Sequence, residues 1–410
     1  MATVLGIIAE YNPFHNGHLY HIQESKKQTG AQYVICIITG NFTQRGDTSL
    51  VNKWIKTRMC LENGADIVIE LPTIYSTSSA ENFAEGAIKI LDSLKIVDTL
   101  SFGTETQDLA ALNNIANVVY YEPKEYVSLL NHELGKGVSF PKARENAVLM
   151  YLNDIKRYAN ILSGANNILA IEYIKALRRL KSDLKPFSVQ RKKVYYNDEH
   201  IVDDFASATA IRKMVKREQY EDIRKVVPKN SYALLQEEIK RGNIVMGLES
   251  FEKEILYTLR KMTVKEIQNL PDVTEGLENN IKNAANSCNN LQDLMNIIKS
   301  KRYTQTRIQR ILLYSLLGIT KKDMEIARKI TPYTRVLGFN EKGKEMLSDI
   351  CHINPKINIV TSVKKFMDNS SNKNLKEMLE KDIFASNVYT LGYAYDSWAN
   401  LDYTNKLIVL

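Results

Sequence analysis

The first hundred residues alternate short, continuous apolar runs with longer helix-like stretches, and this alternation leaves little choice of fold. The runs are TVLGIIAEY (3–11), AQYVICIITG (31–40), ADIVIELP (65–72) and DTLSFG (98–103). They are short and rich in Val and Ile, as strands buried on both faces are. Helical patterns lie between them at about 17–29, 49–63 and 80–94. Repeated strand, helix, strand predicts an α/β domain with a Rossmann-like, doubly wound parallel sheet. Ligands of such sheets bind beyond the carboxyl ends of the strands. The segments to inspect are therefore EYNPFHNGH, TGNFTQRGD, ELPTIYSTSSAEN and FGTETQD.

A helical stretch follows at about 106–182. FSVQRKKVYY (187–196) predicts a further strand, and DFASATAIRKMVKR (204–217) a loop entering a helix. From about 220 the pattern is mainly helical, most clearly in RYTQTRIQRILLYSLLGI (302–319), and DIFASNVYTLGYA (382–394) is expected to return to β structure. The 410 residues thus divide into a nucleotide-binding type of domain over 1–220 and a mainly helical part over 221–410, with no Pro/Gly-rich break between them. MATVLGIIAEY lacks the basic start of a signal peptide, and no apolar run approaches the ~18 residues of a membrane span. Cys36, Cys60, Cys288 and Cys351 are scattered, with no C-x-x-C spacing. A cytoplasmic protein without a disulfide framework or membrane partner is expected. The net charge of +8 suits either a polyanionic partner or a merely basic surface, so the location of the charge matters more than its sum.

Three of the six histidines, His15, His18 and His21, fall within seven residues. They sit where the first strand should end and the first helix begin. A helix N-terminus offers unpaired N–H groups to phosphate, and Gly17 lets the backbone approach a ligand. His15 and His18 can donate to phosphate oxygens or, alternatively, cap and pack the turn. A zinc site lacks the further Asp, Glu or Cys it would need, so no metal ligand is assigned.

AEYNPFHNGH resembles the H-x-G-H signature of the nucleotidyltransferase superfamily, with Ala9 and Tyr11 where many members have Gly and Phe. ASATAIR (206–212) resembles the second element of that superfamily, with Ser207, Thr209, Ile211 and Arg212 in place and Ala206 and Ala208 substituted. With GNFTQRGD, DIVIELP, SFGTE, NNIL and KRYTQTRIQR, the chain resembles the bacterial tRNA(Met) cytidine acetate ligase family over nearly its full length. The resemblance implies that ATP and acetate form acetyl-adenylate, with Mg²⁺ expected alongside ATP. The acetyl group then passes to N4 of wobble cytidine 34 in elongator tRNA(Met), giving N4-acetylcytidine.

The resemblance also implies site residues. His15, His18 and Arg212 would be catalytic, stabilising charge at the α-phosphate. From the first motif Ile7, Ile8, Ala9, Glu10, Tyr11, Asn12 and Pro13, then Phe14, Asn16, Gly17, Leu19 and Tyr20, would surround ATP. Gly103, Asn166, Asn167, Arg191, Ser207 and Thr209 would complete the nucleotide site. The asparagines could instead cap a helix, and Gly103 could be a turn glycine. Gln44, Arg45 and Lys53 are candidates for acetate or tRNA, although Arg45 also suits a surface charge. Acetate is already anionic and acetyl-adenylate is activated, so neither a general base nor a Cys or Ser nucleophile is required.

Two segments are strongly basic. Residues 175–193 carry eight Lys or Arg against one acid, and 301–335 carry nine against two. Arg178, Arg179 and Lys192 are candidates for tRNA phosphates. Tyr303, Arg307, Arg310 and Tyr314 recur on one helix face, opposite Ile308, Ile311, Leu312, Ser315 and Ile319. The first set is expected to face outward as a basic–aromatic stripe for RNA; a solvated amphipathic helix is the alternative. Two other functions are consistent with parts of the sequence. A small-molecule adenylyltransferase of the pantetheine-phosphate or nicotinate-mononucleotide kind would need only ~160–220 residues. A non-catalytic RNA-binding protein would release no pyrophosphate. The sequence leaves the oligomeric state open.

Overall fold

The structure, a computed structural model, describes residues 3–191, 204–274, 276–300 and 303–410. Strands β1 (Val4–Ala9), β2 (Tyr33–Thr39), β3 (Ile67–Leu71) and β4 (Thr99–Thr104) fall where the apolar runs predict, and β5 (Lys185–Gln190) overlaps the start of the strand expected at 187–196, of which 192–196 lie outside the described residues. Three more come from the part after 220: β6 (Thr334–Phe339), β7 (Ile359–Val360) and β8 (Ile408–Val409). One sheet holds them in the order β5-β4-β1-β2-β3-β6-β7, with β8 also paired to β6. The first five are mutually parallel, and β6 runs antiparallel to β3. The fold is thus the expected doubly wound α/β fold with a helical C-terminal part, which also lends three strands to the sheet.

Both faces of the sheet are covered. Ile35 and Ile37 of β2 join the core on one side, and Val34, Cys36 and Ile38 join the core on the other. This period of two is why the strands read as unbroken apolar runs. The helices that shape the site are α1 (Asn16–Thr29), α2 (Lys53–Leu61), α3 (Ala80–Leu94), α4 (Ala165–Leu180), α5 (Ala208–Lys216), α6 (Gln305–Leu317) and α7 (Lys373–Tyr389).

Helix α7 corrects the expectation of β structure at 382–394. Its buried residues Leu375, Met378, Leu379, Asp382, Ile383, Ser386 and Tyr389 recur at helical spacing. The β-branched residues of DIFASNVYT were outweighed by this longer pattern.

Strand β6 covers the β3 edge, which would otherwise expose unpaired backbone groups. A buried ionic cluster fixes it there. Lys53 Nζ lies 2.9 Å from Glu70 Oε1 and 2.6 Å from Asp402 Oδ1, and Arg335 reaches both acids. All four side chains are buried. Lys53 is therefore a core residue and not an acetate or tRNA contact. The described cysteines are all unpaired. No described helix is long and apolar enough to cross a membrane.

Candidate active site

Strand order reverses around β1, which lies between β4 and β2. A cleft of about 770 Å³ opens beyond the carboxyl ends of these strands. The chain leaves β1 through Tyr11, a non-glycine residue in the left-handed region at φ 49°. Packing holds this conformation. The Tyr11 ring is buried, edge-on to Phe14 (4.9 Å) and His18 (4.7 Å). Strained backbone of this kind collects at functional sites.

Asn12 anchors the turn. Its Nδ2 donates to the Thr48 carbonyl and its Oδ1 accepts from Leu50 N–H at 2.7 Å. His15 then caps α1: its Nδ1 accepts from Gly17 N–H at 3.0 Å, while His18 Nδ1 accepts from His15 N–H at 3.2 Å. Backbone N–H can only donate, so each neutral ring carries its proton on Nε2. Both rings are neutral. Burial, followed by the nearby Arg191 and Arg212 cations, lowers His15 to about 3. Burial and the neighbouring His15 take His18 well below the ordinary histidine range. The pair therefore presents two Nε2–H donors, and the positive charge of the cleft comes from arginine. His21, lowered to about 4 chiefly by burial, bonds Ser101 Oγ through Nε2 at 2.9 Å.

The two sequence motifs meet through two sets of bonds. Arg212 donates to the Asn12 carbonyl at 2.8 Å, and Asn16 Nδ2 donates to the carbonyls of Asp204 and Lys225. Ser207 caps α5 by accepting from Ala210 N–H, and Thr209 Oγ1 accepts from Arg212. At the β4 end, the Arg191 stem lies against Gly103, 3.4 Å from where a Cβ would stand.

Of the sequence candidates, the cleft gathers Ile8, Ala9, Glu10, Tyr11, Asn12, His15, Gly17, His18 and Tyr20. It also gathers Gln44, Arg45, Gly103, Asn166, Arg191, Ser207, Thr209 and Arg212. Others lie behind it. Ile7 and Phe14 are core residues, Leu19 packs on that core, and Pro13 is buried away from the cleft. Asn16 joins the two motifs as described. Asn167 is buried, its Oδ1 accepting from Glu105 N–H at 2.9 Å. Glu105, which sequence reasoning missed, returns bonds to the amides of Asn166 and Asn167 and so fixes the start of α4.

The basic candidates are mostly engaged inside the fold. Arg179 pairs with Glu81 and Glu85, and Arg178 donates to Asn113. Lys192 lies outside the described residues. The outward stripe on α6 is corrected too. Tyr303, Arg310 and Tyr314 are buried. Arg310 pairs with Asp272 at 2.8 Å, Tyr314 donates to the Thr77 carbonyl, and Arg307 donates to the Asp272 carbonyl. The helix packs on both faces because the C-terminal part wraps the sheet, which helical periodicity alone could not reveal. Residues that do reach the cleft from α6 are Gln305, Thr306 and Gln309. No signal in the sequence had singled them out.

A family model described as HIGH Nucleotidyl Transferase matches residues 1–402. The tRNA(Met) cytidine acetate ligase of Thermoanaerobacter sp. is 45% identical over 409 residues, covering 99% of this chain and 100% of that protein. That of Acetivibrio thermocellus is 43% identical over 415 residues, with 99% and 100% covered. The crystal structure of Thermotoga maritima TmcAL in its apo form I superposes with a TM-score of 0.94 at 32% identity, covering 100% of this chain and 99% of that one. The same protein bound with alpha-thio ATP superposes at 0.91 and 31%, with the same coverage.

Proposed function

Because the chain belongs to the tRNA(Met) cytidine acetate ligase family, we propose that it activates acetate with ATP and acetylates N4 of wobble cytidine 34 in elongator tRNA(Met). The observation that carries this reading is the pair of neutral Nε2–H imidazoles with Arg191 and Arg212 in one cleft. An acetate oxygen attacks the α-phosphorus of ATP, and the bond to pyrophosphate breaks. The spreading negative charge needs donors and cations already in place. His15 and His18 supply the donors; Arg191 and Arg212 supply the cations. Asn12 holds Arg212 in position through its carbonyl.

Mg²⁺ would enter on the triphosphate. Among the described residues no cluster of three His, Cys, Asp or Glu could hold a metal ion. Mg²⁺ requires only one or two carboxylates beside phosphate oxygens, and Glu10 and Asp47 line the cleft. It would neutralise phosphate charge there. In functional terms, residues 1–220 carry adenylation and 221–410 contribute to tRNA binding.

One incubation tests the reading: protein, ATP, Mg²⁺, labelled acetate and total tRNA, followed by nucleoside analysis. N4-acetylcytidine that requires both acetate and ATP is expected. Its formation from acetyl-CoA alone, or its absence, would refute the assignment.

A further inference from the structure

We propose that the part of the cleft between the 43–47 loop and the first turns of α6 holds the acceptor cytidine, with Gln309 and Gln305 reading its base edge. This inference rests on the adenylation reading above. The sheet places the nucleotide first. Its switch point lies between β1 and β4, where the adenylate belongs. His15, His18, Gly103, Arg191 and Arg212 surround that end.

The cleft continues past β1 to the β2 side. There its lining is Thr43, Gln44, Arg45 and Asp47 from the loop, and Gln305, Thr306 and Gln309 from α6. Beside one charge of each sign it offers three neutral amides, which suit a neutral heterocycle. Each amide offers both a donor and an acceptor, as does cytosine with its N4 amine, N3 and O2. Gln44 is already tied, Nε2 to the Ser78 carbonyl at 3.1 Å. Gln305 and Gln309 make no side-chain hydrogen bond to another described residue.

This wall is built firmly. Gly46, at φ 74°, seats the loop directly on α6: an added Cβ would stand 2.4 Å from Arg310 N. The helix is held in turn by the Arg310–Asp272 pair and the Tyr314–Thr77 bond. Two segments far apart in the sequence thus form one surface of the cleft that His15, His18 and Arg212 also line. In the transfer, the N4 lone pair attacks the acetyl carbonyl carbon and an N–C bond forms. The C–O bond to AMP breaks, its electron pair leaving on the phosphate, and the N4 proton passes to water.

The test compares partial reactions and base preference in Gln309→Ala and Gln305→Ala, with thermal melts confirming a folded chain. Acetyl transfer to tRNA should fall roughly tenfold or more in kcat/KM, as loss of base-edge contacts does. The KM for acetate in tRNA-independent ATP–pyrophosphate exchange should not move. An anticodon stem–loop with cytidine at the wobble position should bind wild type more tightly than one with uridine, and Gln309→Ala should erase that preference. Equal losses in exchange and transfer, or a raised acetate KM, would assign these residues to acetate and overturn the inference. So would equal binding of the two stem–loops by wild type. Absence of acetate-dependent exchange in wild type would instead refute the adenylation reading, which the stem–loop comparison does not depend on.

Discussion

The rings of His15 and His18 stack with centroids 3.6 Å apart and planes 22° from parallel. Each uses Nδ1 to accept a backbone N–H, so a capping bond fixes the tautomer that chemistry requires. His15 therefore has two separable roles. Asn is among the best N-cap residues, and an Ala cap costs ~0.5–2 kcal/mol. His15→Asn should keep the thermal midpoint near wild type while acetate-dependent ATP–pyrophosphate exchange falls by ~10²–10³. His15→Ala should lose both. Near-full exchange in His15→Asn would make this histidine purely structural.

All three clustered histidines are held neutral, with His15 at about 3 and His21 at about 4 against an ordinary 6.5. Between those values the unfolded chain binds protons that the folded chain does not. Stability is therefore complete above about pH 6.5 and declines as pH falls, by up to ~1.4 kcal/mol per unit for each histidine. Between about pH 7 and 5 the Asp382 carboxyl, raised to about 7 chiefly by burial, opposes this trend, so the measurement is a difference: in urea titrations the stability of His21→Asn should rise less with pH than that of wild type. An unchanged slope in that variant would mean that His21 is charged in the folded state.

The central strands and both nucleotide motifs were legible because each is local. A run such as YVICIIT announces a two-sided strand, and HNGH and SATAIR carry their chemistry within a few residues. Lys53 and Arg310 were misread for the opposite reason. Each is a cation beside a motif in sequence, but its partner lies far along the chain: Asp402 for Lys53, Asp272 for Arg310. Gln309 had no reading at all. An amide on an amphipathic helix gains meaning only when a distant loop packs against it.

Lys53→Met should be strongly destabilising. It leaves Glu70 and Asp402 sharing only Arg335 in a buried site. Removing one member of such a cluster costs ~3–5 kcal/mol. Chemical denaturation should show this loss, while the folded fraction keeps the wild-type KM for acetate. A stable Lys53→Met protein with raised acetate KM would restore Lys53 to the substrate site.

Replacing Arg307 and Arg310 together with Ala should lower the thermal midpoint. It removes the ties of α6 to Asp272 and Thr274 and the cation packed 4.9 Å over the Tyr303 ring. The salt dependence of tRNA binding should stay close to wild type. Two lost phosphate contacts would instead flatten the log–log slope by ~2 units. A flattened slope with an unchanged midpoint would place these arginines on RNA.

Lys56 joins the floor of the site to its wall. Its buried ammonium donates to the carbonyls of Thr39 and Gly40 at 2.7 Å, of Glu10 at 3.1 Å, and to Ser49 Oγ at 2.9 Å. These acceptors lie at the ends of β1 and β2 and at the base of the 43–47 loop. Burial lowers the amine to about 7, only partly offset by the Glu10 charge. Two opposite trends follow as pH rises through that value. Global stability gains, because from about 7 to 10.5 the unfolded amine still binds a proton that the folded one has shed. The local clamp weakens, because a neutral amine has one donor fewer. Amide hydrogen exchange across 43–49, corrected for its intrinsic pH dependence, should therefore accelerate between about pH 6.5 and 8.5. Lys56→Met should exchange rapidly at both pH values, with ATP–pyrophosphate exchange reduced because Glu10, whose carbonyl Lys56 holds and which lines the cleft as a candidate for Mg²⁺, is no longer fixed. Protection that does not change with pH in wild type would show that the amine is not what holds the loop.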